Sequence, residues 1–200
     1  MIVPYKDFSG AATKLPTHRW GEVSVEAQYF TDAIDGDLVV YFGNPLASVR
    51  PLVRIQSTCV FAEVLGSTLC ECAEQLELAI QQLAASKRGI LIYLRIDGRG
   101  AGLASKVAST KLEVDGVDTV KARIEIGVNP ESRTFDSVGH FLKAKGINNV
   151  ELLTNNPLKI TGLNVCGINV EAIPLIATPS SDIAADLMAT KKNILGHTLD

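Results

Sequence analysis

Three cysteines fall within fourteen residues, as Cys59-x10-Cys70-Glu71-Cys72. Thiolates are favoured ligands of zinc, which gathers four groups in a tetrahedron. Three protein ligands leave one position for water, as hydrolysis requires, whereas four close a structural site. In a cytosolic chain such a cluster reads as metal-binding or catalytic rather than as disulfides, and a C-x-C pair is poorly placed to bridge itself. No histidine (His18, His140, His197) is near in sequence. Cys166, just before Gly167, reads as a buried small residue. Spacing alone leaves a catalytic zinc, a closed structural site and ordinary buried thiols open.

Two further segments could meet an anion. Asp97-Gly98-Arg99-Gly100-Ala101-Gly102 is neither a dinucleotide fingerprint nor a P-loop. Its glycines let backbone approach a ligand, and Arg99 could fork onto phosphate or a base edge. A plain turn after a buried strand is the competing reading. Leu153-Thr154-Asn155-Asn156-Pro157-Leu158-Lys159 runs from a strand end into a helix start, where free N–H groups and the dipole favour anions. A capped turn with a solvated lysine explains it as well. Glu131-Ser132-Arg133 in a polar loop, and Arg54 at a strand end, are charges of a kind usually found at the surface.

The elements that must position these groups follow from pattern. The first twenty or so residues look irregular. Strands are expected at Gly21–Tyr29, Leu38–Phe42 and Leu52–Ile55, punctuated by turns at Asp35-Gly36 and Gly43-Asn44-Pro45. Apolar spacing predicts a helix from Cys72 to Ser86, closed by Gly89, and Ile90–Leu94 is a buried strand. A helix-like stretch runs to about Val114, before a turn at Asp115-Gly116. A helix follows at Phe135–Lys145, ended by Gly146. Then come a strand at Val150–Thr154, a short helix at Pro157–Leu163 and a strand at Ile168–Ile173. The fold class expected is α/β: a mixed sheet with flanking helices and a strand-rich N-terminal part, forming a single domain over residues 1–200.

Composition narrows the function classes. The chain has 200 residues, 46% hydrophobic and 20% charged, enough for a real core. Its net charge of −3 argues against a general nucleic-acid coat. No apolar run approaches a membrane span of roughly 18–20 residues. The opening Met1–Asp7 shows no signal-peptide pattern, so a soluble cytoplasmic protein is expected.

Taken in order, the segments resemble the GTP cyclohydrolase II family. The series runs from Lys14-Leu-Pro-Thr17 and Trp20-Gly21 through Arg54, Cys59, Cys70-Glu-Cys72 and Glu74-Gln75-Leu76-Glu77. It continues with Arg88-Gly89, Tyr93-Leu94-Arg95, Asp97–Leu103, Asp118-Thr119-Val120 and Arg133. Leu152–Pro157, Lys159, Thr190-Lys191 and Leu195-Gly196-His197 complete it. The resemblance implies a homodimeric enzyme with one zinc per subunit and magnesium with the triphosphate. Such an enzyme cuts pyrophosphate from GTP, adds water at C8, opens the imidazole ring and releases formate. By position, Cys59, Cys70 and Cys72 resemble the zinc ligands, Arg133 the nucleophile on the α-phosphate, and Glu131 an acidic proton acceptor. Arg54, Gln56, Ser57, Thr58, Gln75, Asp97, Gly98, Arg99, Thr119, Thr154 and Lys159 match substrate-binding positions.

The chain departs from the family pattern at several places. Gln56-Ser57-Thr58 replaces His-Ser-Glu, Ile96-Asp97 replaces Gln-Glu, and Ala73 replaces Gly. Thr110 stands where the family has a catalytic tyrosine. The expected reaction is therefore one that can stop at a formamidopyrimidine. The alternatives are a different nucleotide, in secondary metabolism or pyrimidine breakdown, and a non-catalytic nucleotide-binding or regulatory protein.

Overall fold

The computed structural model describes residues 8–31, 36–179 and 181–197. Met1–Asp7 and Asp35 of the expected Asp35-Gly36 turn lie outside the described residues. The backbone is a seven-stranded sheet in the order β1-β2-β3-β5-β4-β6-β7. Its strands are β1 (Ala12–Thr17), β2 (Gly21–Gln28), β3 (Asp37–Gly43), β4 (Leu52–Ser57), β5 (Arg88–Leu94), β6 (Asn149–Leu153) and β7 (Asn169–Ile173). From β1 to β5 the pairing is antiparallel, and β5, β4, β6 and β7 run parallel. The expected mixed α/β sheet with a strand-rich N-terminal part is what forms.

Central β5 is buried on both faces, which explains its unbroken apolar sequence. Ile90, Ile92 and Leu94 face one core with Val53 and Ile55, under Phe135, Val138 and Leu142. The latter two belong to α5 (Asp136–Ala144). Leu91 faces the other core with Val40 and Leu52, under Ala79 and Leu83 of α2 (Cys72–Ser86). The remaining helices are α1 (Val60–Glu63), α3 (Gly102–Val114), α4 (Thr119–Glu125), α6 (Pro157–Val165) and α7 (Asp182–Leu195). Among the described residues no helix is long and apolar enough to cross a membrane.

The structure corrects the sequence reading in three places. Ala12–Thr17, read as irregular, is a strand paired to β2. Almost all of it is exposed on both faces, so it carries no alternation signal, and Pro16 is tolerated at a sheet edge. Helix α2 ends at Ser86, three residues before Gly89, with Lys87 itself in the left-handed conformation (φ 52°). Gly89 instead admits the helix: a Cβ there would lie 2.6 Å from Leu83 O. Cys166 is only half-buried; its Sγ donates to Asp136 O at 3.3 Å and packs where Gly139 leaves room.

Candidate functional site

The C-terminal ends of parallel strands β4, β5 and β6 come out on one side of the sheet, where open α/β sheets place their ligands. The segments that leave them are Thr58-Cys59, Arg95–Gly102 and Thr154–Pro157. They wall one cleft together with Cys70, Cys72, Gln75, α3, α4 and the end of α7. Every sequence-predicted site residue lines this cleft except Glu131, which stands behind Arg133.

The three thiols converge because β4 delivers Cys59 and the start of α2 delivers Cys72, with Cys70 on the loop between. Their Sγ atoms lie within 4.8 Å of one another, and Cys59 and Cys70 are 3.6 Å apart. Two sulfurs at about 2.3 Å on a tetrahedral ion stand roughly 3.8 Å apart, so the trio fits one zinc ion. Among the described residues no fourth His, Cys, Asp or Glu joins the group, which leaves its open side on the cleft. Hydrogen bonds from Cys70 and Cys72, then the Lys106 ammonium, hold the Cys59 thiol well below its ordinary value, while the same sulfur contacts and burial push Cys70 up. Lys106 Nζ is 3.0 Å from Cys59 Sγ and 2.8 Å from Asp97 Oδ1. Asp97 also accepts from Gly98 N at 2.6 Å and Val60 N at 3.0 Å, tying the glycine loop to α1.

Across the cleft, Glu131 accepts from Arg133 Nε at 2.8 Å and Nη2 at 2.5 Å. The remaining nitrogen, Nη1, lies 3.3 Å from Ser57 Oγ. The carboxylate thus grips one edge of the guanidinium through two nitrogens, and Arg133 itself lines the cleft. Burial works to raise the Glu131 pKa, but the Arg133 hydrogen bonds and charge outweigh it and hold the group below 4.5. The pair's stability is therefore complete above the ordinary carboxylate value and disappears as pH falls through the lower folded one. In chemical denaturation, the stability gap between the wild type and Glu131→Gln, about 1–3 kcal/mol at neutral pH, is expected to persist at pH 4.5 and to close only below it.

Gly100 sets this loop against its neighbour. It holds φ +93°, and a Cβ would lie 3.0 Å from the Ser132 backbone, while Ser132 N donates to Arg99 O at 3.0 Å. Arg99 takes a left-handed conformation (φ 50°) and lines the cleft. Its pKa is pushed down to about 10, by burial first and then by Arg123 and Arg133. Arg54 is buried, with Nε and Nη2 donating to Gln56 Oε1 and Nη1 to Leu153 O. Gln56 in turn donates to Glu63, which accepts from the Tyr93 hydroxyl.

Lys159 is neither solvated nor extended to the surface. It is 6% exposed, its Nζ donates to Ile55 O at 2.6 Å, and burial pushes its pKa well down. The start of α6 is capped from within, Asn156 Oδ1 accepting from Leu158 N. Thr154 Oγ1 accepts from Asn156 N, Thr58 Oγ1 donates to Leu94 O, and Thr119 Oγ1 donates to Glu113.

Several cleft residues lie outside the expected catalytic, binding and metal sets. Thr110 on α3 lines the wall. Lys106, Arg123 and Lys191 bring the basic side chains there to seven, with Arg54, Arg99, Arg133 and Lys159, against three lining carboxylates, Glu71, Asp97 and Glu113. In a chain of net charge −3 this concentrates positive potential at one place. Lys191 Nζ reaches Glu71 Oε1 at 2.6 Å across 120 positions. His197 beside it is held near a pKa of about 4 by burial and by Lys191, so it is neutral at pH 7. No local pattern marks these residues; Thr190-Lys191 and Leu195–His197 enter only through the ordered resemblance.

A family model described as GTP cyclohydrolase II matches residues 9–174. The chain is 40% identical over 174 residues to the riboflavin biosynthesis protein RibBA of Bacillus subtilis (strain 168), covering 85% of this chain and 44% of that protein. It thus spans less than half the length of that relative. It is 40% identical over 163 residues to the GTP cyclohydrolase-2 of Psychromonas ingrahamii, covering 81% of each. With the GTP cyclohydrolase-2 of Escherichia coli O9:H4 (strain HS) the identity is 38% over 194 residues, 95% of this chain and 96% of that one. A match along nearly the full length of both proteins, on top of the family model, leaves one conclusion: the chain belongs to the GTP cyclohydrolase II family.

Proposed function

We propose that this protein opens the imidazole ring of GTP by hydrolysis and releases pyrophosphate. The observation that carries the reading is that three convergent thiols and the Arg133–Glu131 pair open on one cation-rich cleft. Cys59, Cys70 and Cys72 would hold zinc, one ion per subunit of a homodimer, and magnesium enters with the triphosphate. The zinc, when bound, supplies Lewis acidity that makes hydroxide available near neutral pH.

The rest falls to the chain's own groups. Arginine is a poor nucleophile because its pKa exceeds about 12, so it needs a base. Glu131 takes the guanidinium proton, and the freed nitrogen attacks the α-phosphorus. The P–N bond forms as the α–β P–O bond breaks, and pyrophosphate departs. Covalent attachment then fixes the purine in the cleft, making the ring hydrolysis a positioned step, and water finally cleaves the P–N bond, freeing the product as a monophosphate and returning the proton to the guanidinium. Arg54 and Lys159, both buried at the cleft, hold phosphate oxygens. Gln75 and Thr119 line the walls against base and sugar.

Thr110 favours a shortened outcome. It lines the cleft, and its side chain has neither the reach nor the phenol of a tyrosine. Losing a positioned acid–base group slows its step by about 10²–10⁴-fold, so formate release is expected to lag pyrophosphate release by that factor. The test is incubation with GTP, magnesium and zinc, with pyrimidine products read by mass spectrometry and formate and pyrophosphate assayed separately. The expected product retains the formyl group, and Thr110→Tyr raises formate yield. Stoichiometric formate from the wild type would remove the shortened outcome; unconsumed GTP would remove the reading as a whole.

A further inference from the structure

Two guanidinium N–H groups of the cleft wall are buried and meet no acceptor: Nη1 of Arg99 and Nε of Arg123. Arg123, on α4, is 3% exposed. Its Nη1 donates to Gly98 O at 2.7 Å, immediately before Arg99. Gly98, Arg99 and Gly100 all hold positive φ, free of strain for the glycines but not for Arg99. Arg123 therefore clamps the loop that carries Arg99 and still has a donor to spare.

Glu113, Glu131 and Asp97 act on Arg123 through charge, but none accepts a hydrogen bond from its Nε. Asp97 takes Lys106 and two backbone N–H groups, Glu131 takes Arg133, and Glu113 accepts from Thr119. Arg133 adds a third like charge that acts on both Arg99 and Arg123. A buried guanidinium with an unmade hydrogen bond is costly unless a ligand completes it. Planar forked donors suit phosphate oxygens better than an ammonium does.

We infer that Arg123 contacts substrate directly, and that Arg99 and Arg123 together seat a phosphate group of the polyphosphate beyond the one Arg133 reaches. This rests on the nucleotide reading of the cleft for the identity of the anion, and its test does not use GTP. Inorganic pyrophosphate and inorganic phosphate are titrated into the purified protein by calorimetry. Pyrophosphate is expected to bind more tightly than phosphate. Arg123→Gln should weaken pyrophosphate about 10- to 100-fold, the worth of one charge-assisted hydrogen bond, and Arg123→Lys by less. Equal affinity in the wild type and a folded Arg123→Gln overturns the inference, as does a wild type that binds no pyrophosphate at millimolar concentration. If Arg123→Gln does not fold, the arginine Nε–H resonances of the wild type decide, with Arg123 assigned through Arg123→Lys. A shift of its Nε–H on adding pyrophosphate is expected, and an unmoved resonance at saturation overturns the inference. Arg123-dependent pyrophosphate binding without GTP turnover would sink the proposed reaction and leave this site standing.

Discussion

Arg133→Ala is expected to cut GTP turnover by on the order of 10⁴-fold or more, as removal of a covalent nucleophile does. Stability will change as well, for a separate reason. Glu131 spends both oxygens on Arg133, and the two side chains are only 17% and 14% exposed. Removing one partner of such a pair strands the other charge, at a cost of about 3 kcal/mol. A dead Arg133→Ala could therefore be read as a misfolded one. The Arg133→Ala/Glu131→Gln double variant separates the two effects, because it removes the stranded charge with the arginine. Its thermal midpoint should return toward the wild type while turnover stays absent. Turnover within about tenfold of the wild type in a folded Arg133→Ala would end the nucleophile assignment. Arg133→Lys sharpens the comparison, keeping the charge while losing the fork that Glu131 grips at two nitrogens.

The second large effect concerns the thiols. Wild-type protein is expected to carry one zinc per chain by elemental analysis, and Cys70→Ser to carry almost none. Turnover should fall on the order of 10³-fold or more, matching the several kcal/mol a metal supplies. The fold should survive. Cys70 lies on the half-exposed loop before α2, while that helix is anchored independently by Ala79 and Leu83 against the sheet. A small drop in thermal midpoint with a large drop in rate identifies a catalytic ion. Cooperative unfolding of Cys70→Ser, or of the wild type on chelation, would identify a structural one and sink the proposal that this ion takes part in the reaction.

How far these residues could be read in advance depended on where their signals lay. The cysteine spacing is local, and so is the apolar run of β5, because a strand buried on both faces has no polar interruptions to disguise it. The helices α2 and α5 announce themselves by spacing. β1 does not, because exposure on both faces erases the period-two pattern on which strand reading depends. Helix α4 is seven residues long and buries Ala122, Arg123 and Thr119, a mixture that looks like no amphipathic face. Its Asp118 N-cap, accepting from Val120 and Lys121 N–H, emerges only with the structure. Lys159 misled locally because a lysine after a turn is usually solvated, and only the sheet shows that its ammonium lies under Ile55 O. Lys106 and Arg123 reach the site only through the crossover between β5 and β6, which joins residues distant in sequence, so no local pattern marks them.

The pairing of Glu71 with Lys191 also joins two distant parts of the chain. The sheet and the thiol trio are encoded before residue 174, where the family match ends. Lys191 follows later, yet it is the cation that neutralises a carboxylate only 1% exposed. Without α7 the cleft lacks one wall, and Glu71 keeps the more distant charge of Arg54 but loses its ion-pair partner. The pocket is complete only with α7 docked, Ser181 reaching Thr68 O and Ala184 fully enclosed. The cleft is thus finished from a distance of 120 positions, by a helix outside the span that the family model matches.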